Sequence, residues 1–159
     1  MTLYLDTSSL VKLYVEEPDS DTVRRLVESA AIVGTATIAY TETRAALARR
    51  RRERALRPAA FASAKKTFDA EWTRYFTIDV TPALCRQAGD FAERYRLRAY
   101  DSVHLAAFAE IAREAGVRET HFSSFDNALN RAARSLRRTL SGGRRPYRAN
   151  RRDQTSAGR

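Results

Sequence analysis

Four acids in this chain stand in one recurring context. Asp6 follows the apolar run Leu3-Tyr4-Leu5 and precedes the hydroxyl residues Thr7-Ser8-Ser9, while Glu42, Asp101 and Asp126 each stand at or near the start of an expected helix. A carboxylate delivered by a buried parallel strand lies at the strand's C-terminal end, the edge where ligands bind in open α/β sheets. If one fold gathers all four acids there, their repulsion demands a cation or shared protons. Hard oxygen donors with no His or Cys cluster select Mg²⁺ or Mn²⁺ over zinc. Ions held in this way activate a water and stabilise a leaving oxygen, the chemistry of phosphodiester cleavage. Asp6 taken alone has a plainer role, as cap of the helix that follows it. Four acids in one context favour the cation site.

Positioning those acids requires a particular order of elements. After the first strand, Leu10, Val11, Leu13 and Tyr14 predict a short helix that Pro18 stops, and Ser20 or Asp21 caps a second with Val23, Leu26, Val27 and Ala30 on one face. Residues 31–36 read as a second strand and 38–54 as a long Ala- and Arg-rich helix that carries Glu42 at its opening. Pro58 opens another helix, whose Phe61, Phe68 and Trp72 read as core. A third strand over 76–80 leads through Thr81-Pro82 to a helix with Leu84, Ala88, Phe91 and Tyr95. Asp101 begins the next helix, which ends at Gly116. A fourth strand over 117–123 is followed by a helix from Asp126. Strands alternating with crossover-length helices predict a parallel sheet with helices on both faces.

At 159 residues the chain suits one domain with a real core. No apolar run approaches the roughly 20 residues of a membrane span, and the N-terminus lacks the pattern of a signal peptide. The single cysteine, Cys85, allows no internal disulfide and makes a reducing cytoplasm the expected setting; it reads as a packing residue. The net charge of +10 points to a polyanionic partner. Basic residues concentrate in Arg49-Arg50-Arg51-Arg52 with Arg54 and Arg57, which read equally as a solvated face or as phosphate contacts. They concentrate again from Arg144 onward, where six arginines meet only Asp153. Ser141-Gly142-Gly143 reads as a breaker, which divides the chain into a domain over 1–140 and a basic tail over 141–159 expected to be disordered.

The stretches Leu5-Asp6-Thr7-Ser8-Ser9-Leu10, Ala39-Tyr40-Thr41-Glu42, Tyr100-Asp101-Ser102-Val103-His104-Leu105-Ala106 and Ser123-Ser124-Phe125-Asp126-Asn127, in that order, resemble the PIN-domain ribonucleases, and within them the VapC toxins of type II toxin–antitoxin pairs. The resemblance covers roughly residues 1–140. It implies a three-layer α/β/α PIN fold around a parallel sheet of four or five strands. It also implies Mg²⁺- or Mn²⁺-dependent endoribonuclease activity, a homodimer and neutralisation by a VapB-like antitoxin. Residue by residue, Asp6, Glu42 and Asp101 match the family's three metal-binding acids and Asp126 the fourth, more variable one. Ser8 matches a position that orients a ligand water, though it reads as well as a helix cap. Ser123 or Ser124 is expected to support Asp126.

The remaining candidates have plainer readings. His104 lies on the same side of its helix as Asp101, but in an Ala- and Leu-rich packing segment, and is read as structural, as is His121. Lys12 either contacts phosphate or lies along the first helix with its head in solvent. VapC-like chains usually end in a short apolar strand, and the basic sequence after Leu140 puts a fifth strand in doubt. Two rival classes are a non-catalytic RNA- or partner-binding module and a receiver-like regulatory domain. The second needs a lysine late in the chain, whereas Lys65 and Lys66 lie on the aromatic helix.

Overall fold

The structure, a computed structural model, describes residues 1–142. Four parallel strands, β1 (Thr2–Leu5), β2 (Ile32–Ala36), β3 (Phe76–Ile78) and β4 (Thr120–Ser123), form one sheet in the order β3-β2-β1-β4. The helices are α1 (Thr7–Leu10, continued by a 3-10 turn over Val11–Leu13), α2 (Ser20–Ser29), α3 (Ile38–Arg52), α4 (Pro58–Glu71), α5 (Pro82–Tyr95), α6 (Ala99–Ala115) and α7 (Asn127–Gly142). The α/β reading holds. The strands are shorter than expected: β3 stops at Ile78 and β4 starts only at Thr120.

Every residue of β1 is buried, the mark of a central parallel strand covered on both faces. Strand alternation divides it. Leu3 and Leu5 enter a core with Leu10, Val23, Ala39 and Phe68, from α1 to α4, while Tyr4 enters the other with Leu84, Leu105, Phe108, Phe122 and Leu129. Each fully buried leucine stabilises by about 1.5–3 kcal/mol. Helices α1–α4 thus cover one face and α5–α7 the other. Of the expected aromatic core, Phe68 is fully buried on α4 against Tyr14, Tyr40 and Trp72, whereas Phe61 is half-buried and joins neither core.

Pro58 and Pro82 open α4 and α5, where the missing N–H costs nothing, and Gly116 closes α6 at φ 91°. Gly34 of β2 lies under α6: a Cβ there would stand 2.6 Å from Ile111 Cδ1 and 3.3 Å from the Phe76 carbonyl oxygen. Gly34→Ala is expected to destabilise by about 1–3 kcal/mol through overpacking, measured as a lower urea midpoint with an unchanged slope.

Cys85 is exposed on α5, not packed. The apolar face of that helix is carried by its neighbour Leu84 with Ala88 and Phe91, which leaves Cys85 outward. Helix α7 runs two residues past Leu140, through the Ser141-Gly142 of the expected breaker. The readings of a doubtful fifth strand and of a disordered basic tail concern residues 143–159 for the most part, which lie outside the described residues. Among the described residues no helix is long and apolar enough to cross a membrane.

Candidate active site

Because all four strands are parallel, their C-terminal ends share one edge. The order reverses at β1, whose chain neighbour β2 lies on one side and β4 on the other, so residues following β1 and β4 flank a switch point. A cleft of about 440 Å³ opens there, and Asp6, Glu42, Asp101 and Asp126 all line it. The four sequence-predicted acids therefore share one cleft.

Asp6 takes the helix-cap role weighed for it and also lies at the cleft. Its side chain caps α1 by accepting from the Ser9 N–H at 3.0 Å, and it also faces the cleft. Ser8 Oγ donates to its two oxygens at 2.7 and 3.0 Å, and Ser124 Oγ donates at 2.7 Å. Ser8 also accepts from the Phe125 N–H, which clamps the loop after β4 to the loop after β1. Ser124, expected to support the Asp126 carboxylate, instead supports that of Asp6 and accepts the Asp126 backbone N–H at 3.0 Å. Asp6 is 5% exposed, and burial pushes its carboxyl above the usual value despite these donors and the nearby His104.

Glu42 lies one turn inside α3, deeper than the sequence suggested. Burial alone would raise its carboxyl, but hydrogen bonds from His104 Nε2 at 2.8 Å and from Thr7 Oγ1, with the charge of Arg98, hold it below the usual value. His104 is 3% exposed and contacts Tyr4 Oη through Nδ1 at 2.9 Å. The structural reading of His104 is thus incomplete: it is buried, but its ring is hydrogen-bonded to a cleft acid. His121 is exposed on β4 and does not line the cleft.

Asp101 sits in the first turn of α6, and Asp126 caps α7 by accepting from the Leu129 N–H at 2.8 Å. Arg98 spans the two, with Nε 2.7 Å from Asp101 and a terminal nitrogen 3.4 Å from Asp126. Lys12 does not keep its head in solvent. Its ammonium is largely buried, donating to the Pro18 carbonyl at 2.8 Å and to Glu17 at 3.3 Å, and lies over the Phe125 ring. Arg50 pairs with the same Glu17, so Lys12 and Arg50 brace one wall of the cleft, while Arg49 stays 63% exposed at its edge.

Sequence reasoning missed Thr7, Arg98 and Tyr4. The i, i+3 spacing of Arg98 to Asp101 was a signal for the first-turn ion pair. Tyr4 was marked by its hydroxyl, since a polar tip in a buried run needs a partner.

The donor set is all oxygen, which suits a hard divalent ion. Among the described residues no three Asp, Glu, His or Cys side chains converge closely enough to hold one as they stand. Each carboxylate is instead occupied by protein donors: Asp6 by serines, Glu42 by Thr7 and His104, and Asp101 with Asp126 by Arg98. A guanidinium between two of the acids meets the demand for positive charge that their repulsion creates, and on this observation the cleft fits a cation.

The chain belongs to the PIN-domain family, whose model matches residues 3–135. Within that family its relatives are ribonucleases of the VapC type. VapC45 of Mycobacterium tuberculosis strain CDC 1551 and VapC49 of strain H37Rv are each 31% identical to it over 105 residues, which is 66% of this chain and 73% of theirs. VapC46 of strain H37Rv is 30% identical over 134 residues, 84% of this chain and 92% of its own. The fold is similar to the crystal structure of M. tuberculosis VapC20, a sarcin-ricin loop cleaving toxin, with a TM-score of 0.61 at 23% identity over 82% of this chain and 94% of that one. It is also similar to that of Rickettsia felis VapBC2 bound to a promoter DNA fragment, with a TM-score of 0.51 at 15% identity over 79% and 100%.

Proposed function

We propose that this protein is a Mg²⁺- or Mn²⁺-dependent endoribonuclease, the toxin of a toxin–antitoxin pair. The observation that carries the reading is the common cleft of Asp6, Glu42, Asp101 and Asp126 at the switch point of a PIN-family sheet. These four residues would hold the metal. When bound, the ion lowers the pKa of an attacking water and offsets charge on the phosphate and leaving oxygens. The chain's own groups do the rest. Ser8, Ser9 and Ser124 hold Asp6 in place, Thr7 and His104 hold Glu42, and exposed guanidiniums at Arg49 and Arg98 offer positive charge to the RNA backbone.

The VapC relatives and the likeness to a VapBC complex support a VapB-like antitoxin as partner, and the working form proposed with it is a cytoplasmic homodimer. A circular RNA tests the activity. Incubated with the purified protein and Mn²⁺, it becomes linear under an endoribonuclease. A non-catalytic RNA-binding module leaves it closed.

The basic rim gives a separate expectation. Arg49→Gln removes an exposed charge at the cleft edge whose one ion pair among the described residues is a loose, exposed contact with Glu53 at 4.0 Å. RNA binding should weaken alike for all sequences, and the slope of log K against log salt should fall by about 1. An unchanged slope returns Arg49 to the solvated face of α3.

A further inference from the structure

The buried edge of the cleft holds a chain of groups that the acids alone do not explain. Tyr4, His104, Glu42 and Thr7 come from β1, α6, α3 and α1, and they are linked without a gap: Tyr4 Oη to His104 Nδ1 at 2.9 Å, His104 Nε2 to Glu42 Oε2 at 2.8 Å and to Thr7 Oγ1 at 3.1 Å, and Thr7 Oγ1 to Glu42 Oε2. Tyr4 is fully buried, its ring stacked on Phe122 at 5.6 Å and edge-on to Phe108 at 6.0 Å. The tyrosine therefore cannot turn away, and its hydroxyl has the imidazole as its side-chain partner.

Hydrogen-bond roles follow from what each group can give. An ionised carboxylate only accepts, so Nε2 carries the proton that Glu42 receives, and the Thr7 hydroxyl donates its one proton to the same oxygen. The Tyr4 hydroxyl meets Nδ1, the other ring nitrogen, so the imidazole is held at both of its nitrogens. Two donors on Oε2 leave Oε1 as the free oxygen of Glu42, on a side chain whose orientation is set by buried groups.

We propose that His104 is a positioning residue of the active site: through Nε2 it holds the Glu42 carboxylate in the orientation in which it serves the metal, with Tyr4 holding the imidazole in turn. The proposal rests on the reading of Glu42 as a metal ligand and goes beyond it. Groups behind a ligand that fix its direction matter nearly as much as the ligand, and their loss costs 10- to 100-fold in metal affinity or activity.

The test uses Mn²⁺ alone, titrated against the melting temperature of the full chain, beside RNA cleavage kinetics. His104→Leu fills the site with an apolar side chain and removes the donor. The half-saturating Mn²⁺ concentration should rise about 10- to 100-fold, and kcat should fall with KM for RNA little changed. His104→Gln can still present an amide N–H to Glu42 and should recover most of the loss. Tyr4→Phe keeps the ring packing, removes only the hydroxyl, and should fall between wild type and His104→Leu; it also serves if His104→Leu does not fold. Glu42→Gln is the control. If it weakens Mn²⁺ binding while His104→Leu, folded by circular dichroism, binds Mn²⁺ like wild type, His104 is a packing residue and the proposal fails with the metal reading intact. Equal losses in His104→Leu and His104→Gln overturn the proposal as well, because the ring's shape and not its donor is then what counts. If Glu42→Gln itself binds Mn²⁺ like wild type, Glu42 is no ligand, and both readings fall together.

Discussion

RNA cleavage by the purified protein should stop on addition of EDTA and return when Mn²⁺ or Mg²⁺ is restored in excess. A metal contributes several kcal/mol of charge stabilisation to such a reaction, so the loss should be on the order of a thousandfold or more. Among the described residues no histidine pair offers a substitute route. Metal-free cleavage through a 2′-hydroxyl calls for two cooperating acid–base groups such as a histidine pair. The two histidines of this chain are His104, buried on α6, and His121, exposed on β4 outside the cleft. Full activity in EDTA would refute the assignment of the acids as metal ligands, whatever the fate of the fold.

The second large effect is expected at Asp6. Asp6→Asn should lower cleavage by a similar factor, yet the variant in EDTA should melt at the same or a higher temperature than wild type near neutral pH. The cause is burial. Asp6 carries a carboxyl raised above its ordinary value of 3.8 by desolvation, so its ionisation costs more in the folded state than in the unfolded one. Between the unfolded pKa and the raised folded one, stability falls as pH rises, and above the folded one the full cost of the buried charge is present. Glu42 has the opposite sign: its lowered carboxyl adds stability above its ordinary value of 4.5 that is lost as the solution is acidified. The metal-free wild type should therefore be most stable on the acid side of neutrality, and Asp6→Asn should remove its decline toward higher pH.

Asparagine preserves the shape, still accepts the Ser9 N–H, and the Ser8 and Ser124 hydroxyls can rotate to receive its amide. Mn²⁺, binding only the native state, should raise the wild-type midpoint and raise that of the variant much less. Asp101 would be the wrong place for this experiment, because its charge already faces the Arg98 guanidinium and its removal relieves little. A variant clearly destabilised in EDTA at neutral pH, with an undiminished response to Mn²⁺, would reduce Asp6 to a helix cap.

Much of this was legible in the sequence where one physical cause dominates. The burial of β1 followed from three adjacent large apolar residues, and the helix starts from Pro58 and Pro82. The common placement of the four acids followed from topology alone, since parallel strands with helical crossovers put every strand end on one edge. What escaped was decided by long-range partnership. Nothing local to Tyr4 reveals that its hydroxyl meets an imidazole one hundred residues away. Lys12 looks solvent-bound on a short helix until the Pro18 carbonyl and Glu17 close over it. Cys85 was misjudged from residue type, when the phase of α5 places it outward. Arg98 was overlooked because arginines are plentiful here, and only its spacing to Asp101 distinguishes it.

The pairing of β1 also carries a temporal consequence. Thr2 is in register with Ile32 on one side and with Thr120 on the other. A chain emerging from the ribosome brings out β1, β2 and β3 while the last neighbour of β1 is still unmade. Closing so long a loop adds only modest entropy relative to a shorter one, but it is a non-local event that must wait for its second strand. Until then one edge of β1 is unpaired, Asp6 has no Ser124 to hold it, and the cleft lacks Asp126. A nascent chain is therefore inert until β4 and the start of α7 have emerged, and whatever the finished cleft can do is withheld until then.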